Sequence, residues 1–229
     1  MRRMQSVAGF VFLLASLGIA QAADPPADAK AFATSSLRLE QNATDGDYEI
    51  VVEASAELGL ATLVVTAPDG RVIIDYKSPT GSDLGMRQFR FETPEPEDLA
   101  SLKAVYPEGV YSFAGVTGSG VALHGKSSLS HTVPAPSSVV TPSGARTVAL
   151  EDVEIAWTSV KGATGYVMEI DQADLGINIT TKVPATITSF TVPDAVLRAG
   201  RKYTLAIGVV AENGNISFVE TAFSTRAAK

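Results

Sequence analysis

The densest group of side chains that could do chemistry lies in a short polar stretch, residues 42 to 49. Asp45 and Asp47 stand one residue apart there, and carboxylate oxygens on a turn can coordinate Ca²⁺. The spacing does not match the EF-hand calcium loop, because Gln41 and Ala43 occupy two of its ligand positions. Asp and Asn side chains on a turn also bond their own backbone. The sequence therefore leaves two alternatives open, a calcium site at Asp45 and Asp47 or an Asx-type turn.

A second group of acidic side chains stands where a helix is expected to begin: Glu92, Glu95, Glu97 and Asp98. Glycoside hydrolases use two neighbouring carboxyl groups as general acid and base, and burial raises the pKa of the acid. The positive end of a helix lowers a carboxyl pKa instead. The sequence therefore predicts no catalytic residue, and an acid/base hydrolase is the least favoured function.

The two histidines, His124 and His131, stand apart, and the chain contains no cysteine. A zinc site is therefore not expected, and no serine stands in a G-x-S-x-G nucleophile elbow. Alternation along the strand predicts that His124 meets solvent. His131 is expected to be buried and hydrogen-bonded at the junction of two domains. No cofactor is predicted, apart from the Ca²⁺ that Asp45 and Asp47 can hold.

The chain is acidic, with a formal net charge of −7 at pH 7. Lys and Arg do not cluster as binding to phosphate groups would require, so no nucleic-acid partner is expected. An acidic surface mainly keeps a protein soluble.

Residues 1 to 23 have the organisation of a secretory signal peptide: a basic start, an apolar run and an A-x-A site at 20–22. The apolar run is shorter than the roughly 20 residues that span a bilayer. Cleavage after Ala22 or Ala23 is expected, with an uncleaved anchor as the alternative. Export without any disulfide favours a bacterial envelope. We therefore expect a periplasmic or secreted protein with no transmembrane segment after cleavage.

Period-two alternation of apolar and polar residues predicts β-strands along most of the remaining chain. Residues 24 to 34 are predicted to be a flexible leader. Residues 35 to 133 are predicted to form a β-rich sandwich domain, with a hairpin turn at residues 68 to 70. One segment breaks the pattern: a capping Thr93, prolines and acids predict a short helix with Leu99, Leu102 and Tyr106 on one side.

The last hundred residues are organised around the stretch from Trp157 to Tyr203. Trp157 and Tyr166 lie on successive alternating runs, and Leu197, Gly200 and Tyr203 lead into a third. A Trp on an early strand and a Tyr just inside a later one suit a two-sheet sandwich, where the Tyr hydroxyl bonds backbone at the corner. We expect all five residues to be part of the structural core.

In their order these five residues resemble the fibronectin type III fold, over roughly residues 137 to 226. The resemblance implies a module that binds partners or spaces other domains, without a particular activity. Nearly the whole chain after the signal also resembles exported bacterial proteins with a C-terminal domain of this type. That second resemblance is carried by motifs such as those at residues 68–71, 106–109 and 129–131.

The sequence thus predicts an all-β fold: two tandem β-sandwich domains of immunoglobulin or fibronectin type III type, with one short helix in the first. A proline-rich, semi-rigid linker is expected at residues 134 to 142 and the second domain at residues 143 to 229.

The leading function is a non-catalytic exported protein that binds or spaces something in the cell envelope, with an envelope protein or glycan as partner. The alternative is a calcium-stabilised adhesive or carbohydrate-binding module. The hydrolase requires a concave acidic cleft that contains a carboxyl group with a strongly raised pKa.

Overall fold

The computed structural model describes residues 26–78, 85–96, 98–151 and 153–227. Within these ranges the fold is all-β, with one short α-helix. The predicted signal peptide, residues 1 to 23, lies outside the described residues. In the described part of the chain, no helix is both long enough and apolar enough to cross a membrane.

The strands lie where apolar and polar residues alternate in the sequence. The strands are β1 (Lys30–Ala31), β2 (Thr34–Asn42), β3 (Asp47–Thr66), β4 (Val72–Lys77), β5 (Met86–Glu92), β6 (Gly109–Thr117), β7 (Ala122–Leu129), β8 (Val139–Thr141), β9 (Thr147–Val148), β10 (Val153–Trp157), β11 (Gly165–Gln172), β12 (Ile177–Pro184), β13 (Ser189–Val192), β14 (Lys202–Val210) and β15 (Ile216–Thr225), and the helix is α1 (Leu99–Val105).

The first sandwich is built around β3, which takes part in both of its sheets. The first half of β3 pairs with β2 and β5, and the second half pairs with β4 and β6, which continues to β7 and β1. Between the halves the register shifts, and Gly59 adopts the left-handed conformation at φ 67°. Ser127 of β7 joins the layers, since its Oγ accepts from the backbone N–H of Leu37 at 2.9 Å. One hydrophobic cluster fills the space between the sheets.

The second sandwich has a sheet of β13, β10 and β8 and a sheet of β12, β11, β14 and β15. Its core is a separate cluster, drawn from residues 153 to 223. Tyr203 is fully buried at the start of β14, and its hydroxyl accepts from the backbone N–H of Arg198 at 2.7 Å. This is the tyrosine corner of immunoglobulin-like sandwiches. The second sandwich therefore has a fibronectin type III-like fold.

The helix forms where the sequence predicts it, but a different residue caps its N-terminus. The N-cap is Asp98, whose carboxylate accepts from the backbone N–H of Ser101 at 2.7 Å. Thr93, the residue expected to cap, instead accepts from the backbone N–H of Ile50 at 3.0 Å. Leu102 is buried in the first core, and Leu99 packs against that core.

Two segments expected to be irregular contain regular structure. Lys30 and Ala31 of the predicted leader pair with β7, and Phe32 is buried in the first core. One aromatic ring is enough apolar surface to hold this short segment on the sandwich. In the predicted linker, Val139–Thr141 forms β8, and the Ser137 hydroxyl donates to the Thr158 carbonyl at 2.7 Å. The division into domains at residues 134 to 142 stays a prediction.

Candidate functional site at the joint between the sandwiches

Strand pairing runs without a break from one sandwich into the other. Glu40 to Asn42 of β2 pair in parallel with Ile216 to Phe218 of β15. The sheet order β5-β3-β2-β15-β14-β11-β12 therefore spans both sandwiches. We call the side of these seven strands that faces away from both cores the joint face. It carries Arg90, Glu49 and Glu40 of the first sandwich, because strand residues alternate between two faces.

Hydrogen bonds to backbone groups hold the two strands together. The backbone N–H of Ala43 donates to the carbonyl of Phe218 at 2.8 Å. The backbone N–H of Glu220 donates to Oγ1 of Thr44 at 2.7 Å. The joint is therefore made by a short length of β-ladder and its turn.

Asn215 is the side chain that ties the second sandwich to the first. It is 1% exposed, and its Oδ1 accepts from the buried backbone N–H of Leu39 at 2.9 Å. Its Nδ2 donates to the carbonyls of Ser130 at 2.7 Å and Thr132 at 2.8 Å. Asn213 adds a bond from its own Nδ2 to Thr132 at 2.9 Å. The Asn215 amide thus bonds two segments of the first sandwich at once.

A cavity of about 400 Å³ opens on the joint face. Its walls come from both sandwiches and are rich in carboxylates: Glu40, Asp45, Asp47, Glu49, Glu92 and Glu95 from the first, and Glu169 and Glu220 from the second. Of the described residues that line it, Arg90 is the one cation. The fold thus brings Glu92 and Glu95 of the second acidic group together with Asp45 and Asp47 of the first.

Two arginines on the joint face are already engaged by carboxylates. Arg38 contacts Glu40 at 2.7 Å and Glu53 at 2.8 Å. Arg90 contacts Glu53 at 3.0 Å and Glu92 through its Nε at 2.6 Å. Burial acts to raise the pKa of Glu53, but hydrogen bonds and attraction from both arginines outweigh it and the pKa is lowered. Glu53 therefore stays ionised.

Three carboxyl groups of the cavity, those of Glu49, Glu169 and Glu220, hold protons more tightly than usual. Burial, followed by repulsion from Glu40 and Glu92, raises the pKa of Glu49 to about 7. Burial, followed by repulsion from Glu40, raises the pKa of Glu169, which belongs to the second sandwich. Burial, followed by repulsion from Asp45, raises the pKa of Glu220. This crowding of carboxyl groups around a single arginine gives the cavity an excess of negative charge.

The turn of Asp45 and Asp47 contains an Asx turn, formed by Asn42. Oδ1 of Asn42 accepts from the backbone N–H of Thr44 at 3.0 Å, and its Nδ2 donates to Asp45 at 3.2 Å. Among the described residues, no three His, Cys, Asp or Glu side chains are arranged to hold a metal ion. A calcium site at Asp45 and Asp47 stays a prediction.

Both histidines are partly buried. His131 is largely buried, and its Nε2 hydrogen-bonds the Tyr106 carbonyl at 2.7 Å. Its backbone N–H donates to Glu108 at 2.6 Å, directly between the two residues that Asn215 contacts. His124 was expected to meet solvent, but its Nδ1 is buried and has no hydrogen-bond partner among the described residues. Pairing of β1 beside β7 covers this part of the strand.

Four of the five residues that carry the fibronectin type III resemblance lie in the second core: Trp157, Tyr166, Leu197 and Tyr203. Gly200 was expected there too, but it is exposed on a turn at φ 68°. A residue without a side chain suits this left-handed backbone, so the role of Gly200 is conformational. Of the other acids singled out in the sequence, Asp98 caps the helix, and Glu97 lies outside the described residues.

No protein-family model matches the chain, and no curated protein matches it in sequence. Among solved structures, it is similar to the fibronectin(III)-like modules of Clostridium thermocellum CbhA, with 11% identity and a TM-score of 0.33 over 84% of this chain and 92% of that one. A two-domain fibronectin type III segment of chicken tenascin gives 14% identity and 0.32 over 81% and 95%. The BSP domain of a biofilm-associated protein gives 17% and 0.28 over 87% and 30%. Likeness at this level does not extend to function.

Proposed function

We propose that the protein is a non-catalytic exported module that binds a protein or glycan of the cell envelope through the joint face. The observation that supports this most is the pairing of β2 with β15, which makes one surface from two sandwiches. A ligand that touches both sides of the joint meets groups that are already in place.

Fixed geometry matters for a binding module because ordering a flexible surface consumes binding free energy. Asn215 and the strand pairing remove most of that cost, since they fix the two halves of the surface before a partner arrives. The same rigidity would serve a spacer, which must hold whatever it connects at one distance and angle.

The joint face also suggests how a partner is recognised. Amides of Gln41 and Asn42 and rings of Tyr48 and Phe218 stand among the carboxylates of the cavity. The amides and carboxylates form hydrogen bonds with hydroxyl, ammonium or amide groups, the rings offer apolar contact, and the net charge disfavours anionic ligands. A calcium-stabilised adhesive or carbohydrate-binding module would use this same surface.

Reversing the charge of one side chain on the joint face should abolish partner binding. We expect a tagged chain, residues 24 to 229, to retain a component of cross-linked envelope extract that Glu169→Lys loses, because lysine would pair with the carboxylates of Glu40 and Glu92 that a ligand would otherwise contact. Glu154→Lys is the matched control, since Glu154 is exposed on β10 in the opposite sheet. Captured material is compared by mass spectrometry and by glycan analysis.

Equal capture by Glu169→Lys and the unmodified chain would contradict binding through the joint face. Capture by none of the three proteins would contradict a binding function. The same capture is repeated in calcium and in chelator with Asp45→Asn/Asp47→Asn. Capture that needs calcium and is lost in this double variant would establish the calcium-stabilised alternative.

One observation favours the hydrolase as a second candidate. The cavity is concave and acidic, and the pKa of Glu49 is raised to about 7 beside Glu40 and Glu92. Two carboxyl groups of different pKa are the pattern of an acid and base pair. Glu92, however, is engaged by Arg90, and burial together with repulsion from Glu40 and Glu92 accounts for the raised pKa of Glu49 without a catalytic role.

A non-catalytic module should release no reducing sugar from envelope polysaccharide between pH 5 and pH 8, a range that brackets the pKa of Glu49, about 7. Release is measured over hours with the unmodified chain and with Glu49→Gln. Turnover that rises below pH 7 and disappears in Glu49→Gln would instead establish the hydrolase, with Glu49 as its acid.

A further inference from the structure

Carboxylates of the two sandwiches face one another across the cavity at the joint. Glu169 on β11 and Glu220 on β15 belong to the second sandwich, and Glu40, Glu49 and Glu92 belong to the first. The strands that must stay paired for the sandwiches to remain joined, β2 and β15, lie between these groups. Repulsion across the cavity therefore acts directly against the pairing.

The charges around these groups come from strands of both sandwiches. Glu169 faces Glu40 of β2, Glu92 and Arg90 of β5, and Glu220 of β15. Lys182 of β12 lines a second cavity together with Glu169.

Glu49 faces the carboxylates of Glu40 and Glu92 and the cations of Arg90 and Arg38. Both arginines also bind Glu53, so their charge is shared among more carboxylates than they can neutralise. Glu220 faces Asp45 and Asp47, with Asn42 as its hydrogen-bond partner.

We propose that the joint is a pH-sensitive coupling between the two sandwiches, which tightens when these carboxylates take up protons and loosens when they ionise. The coupling concerns the joint itself and does not depend on which partner the joint face binds.

The direction and the pH window follow from the shifted groups. In the folded chain Glu49 binds protons up to a pKa of about 7, whereas the unfolded chain loses them near the ordinary value of 4.5. The stabilisation that these protons give is complete below 4.5 and is lost as the pH rises to about 7. The pKa values of Glu169 and Glu220 are raised too and act in the same direction. The carboxylates that repel Glu49 lie on its own sandwich, whereas those that repel Glu169 and Glu220 include groups across the joint. The pKa of Glu53 is lowered, so this group changes the stability only when the pH falls below its ordinary pKa of 4.5.

Hydrogen exchange at single amides tests the coupling in the full chain. The backbone N–H groups of Leu39, Ala43 and Glu220 donate across the joint, and those of Thr117 and Trp157 donate within one sandwich. We expect the protection factors of the joint amides to be about tenfold higher at pH 5 than at pH 8, after correction for intrinsic exchange. The reference amides should change less. Equal changes at both sets would overturn the proposal, because the whole fold would then be responding.

Glu49→Gln/Glu169→Gln removes one ionising group from each side of the cavity while it keeps the size of the side chains. We expect joint protection at pH 8 to rise towards the value at pH 5, and the dependence on pH to shrink to about threefold or less. Glu154→Gln, exposed on the opposite sheet, should behave as the unmodified chain does. An unchanged pH dependence in the double variant would overturn the proposal.

Discussion

Replacing Asn215 with alanine should lower the free energy of unfolding by about 3 kcal/mol and weaken the coupling between the sandwiches. The change leaves the buried backbone N–H of Leu39 without its acceptor, and the carbonyls of Ser130 and Thr132 without their shared donor. A buried polar group that loses its partner costs about 1–3 kcal/mol. Urea unfolding, monitored by circular dichroism, measures the change in the free energy of unfolding. Hydrogen exchange at the joint amides measures the coupling.

Two further variants separate the role of Asn215 from a general loss of polar contacts. Asn213→Ala removes two hydrogen bonds of an exposed side chain, one donated to the Thr132 carbonyl and one accepted from the backbone N–H of Asn215, and should cost no more than about 1 kcal/mol. Asn215→Asp keeps the acceptor for Leu39 but turns a carboxylate oxygen towards two carbonyls, so it should cost at least as much as alanine. An Asn215→Ala variant within about 0.5 kcal/mol of the unmodified chain would contradict this role.

Local patterns were enough to predict most of the elements. Alternation of apolar and polar residues predicts a strand without regard to the sheet that the strand joins. Leu99, Leu102 and Tyr106 recur at helical spacing. The wrong N-cap, Thr93, shows the limit of such patterns. A threonine before two prolines is a good cap by type, but the Thr93 hydroxyl is taken by Ile50, a residue that only the folded sheet brings near.

The long strand β3 shows a second limit. Its two ends alternate clearly around residues 48–52 and 63–67, and the sequence predicts them as separate strands. The structure joins them through Leu58 and Gly59, where the chain passes from one sheet to the other. Neither an exposed leucine nor a glycine signals a continuous strand, because the bend depends on β4, β5 and β6 as partners.

The candidate site was less accessible to sequence reasoning than the fold. Asp45, Asp47 and Glu92 stand out as acidic residues, but their meeting with Glu169 depends on the pairing of β2 with β15. Asn215 bonds a residue that lies 176 positions away in the chain. Its one local signal is its place after Asn213 and Gly214, which predicts a hairpin turn and says nothing of a partner.

Trp157→Ala should be the most destabilising change in the second sandwich, with a cost of about 4 kcal/mol. The indole is 3% exposed and packs edge-on against Tyr166, with ring centroids 5.6 Å apart. Alanine would leave a cavity between the two sheets that neighbouring side chains can fill only in part. Because Trp157 is the one tryptophan, unfolding must be followed by far-ultraviolet circular dichroism instead of fluorescence.

Trp157→Phe distinguishes packing from hydrogen bonding at the same position. The indole Nε1 is buried and has no acceptor among the described residues, so replacement by phenylalanine breaks no hydrogen bond there. It loses only part of the ring volume, and we expect a cost of about 1–2 kcal/mol. A cost as large as that of alanine would mean that the indole N–H has a partner in solution. The smaller cost would identify Trp157 as an apolar element of the core, which is the role that its place on β10 opposite Tyr166 implies.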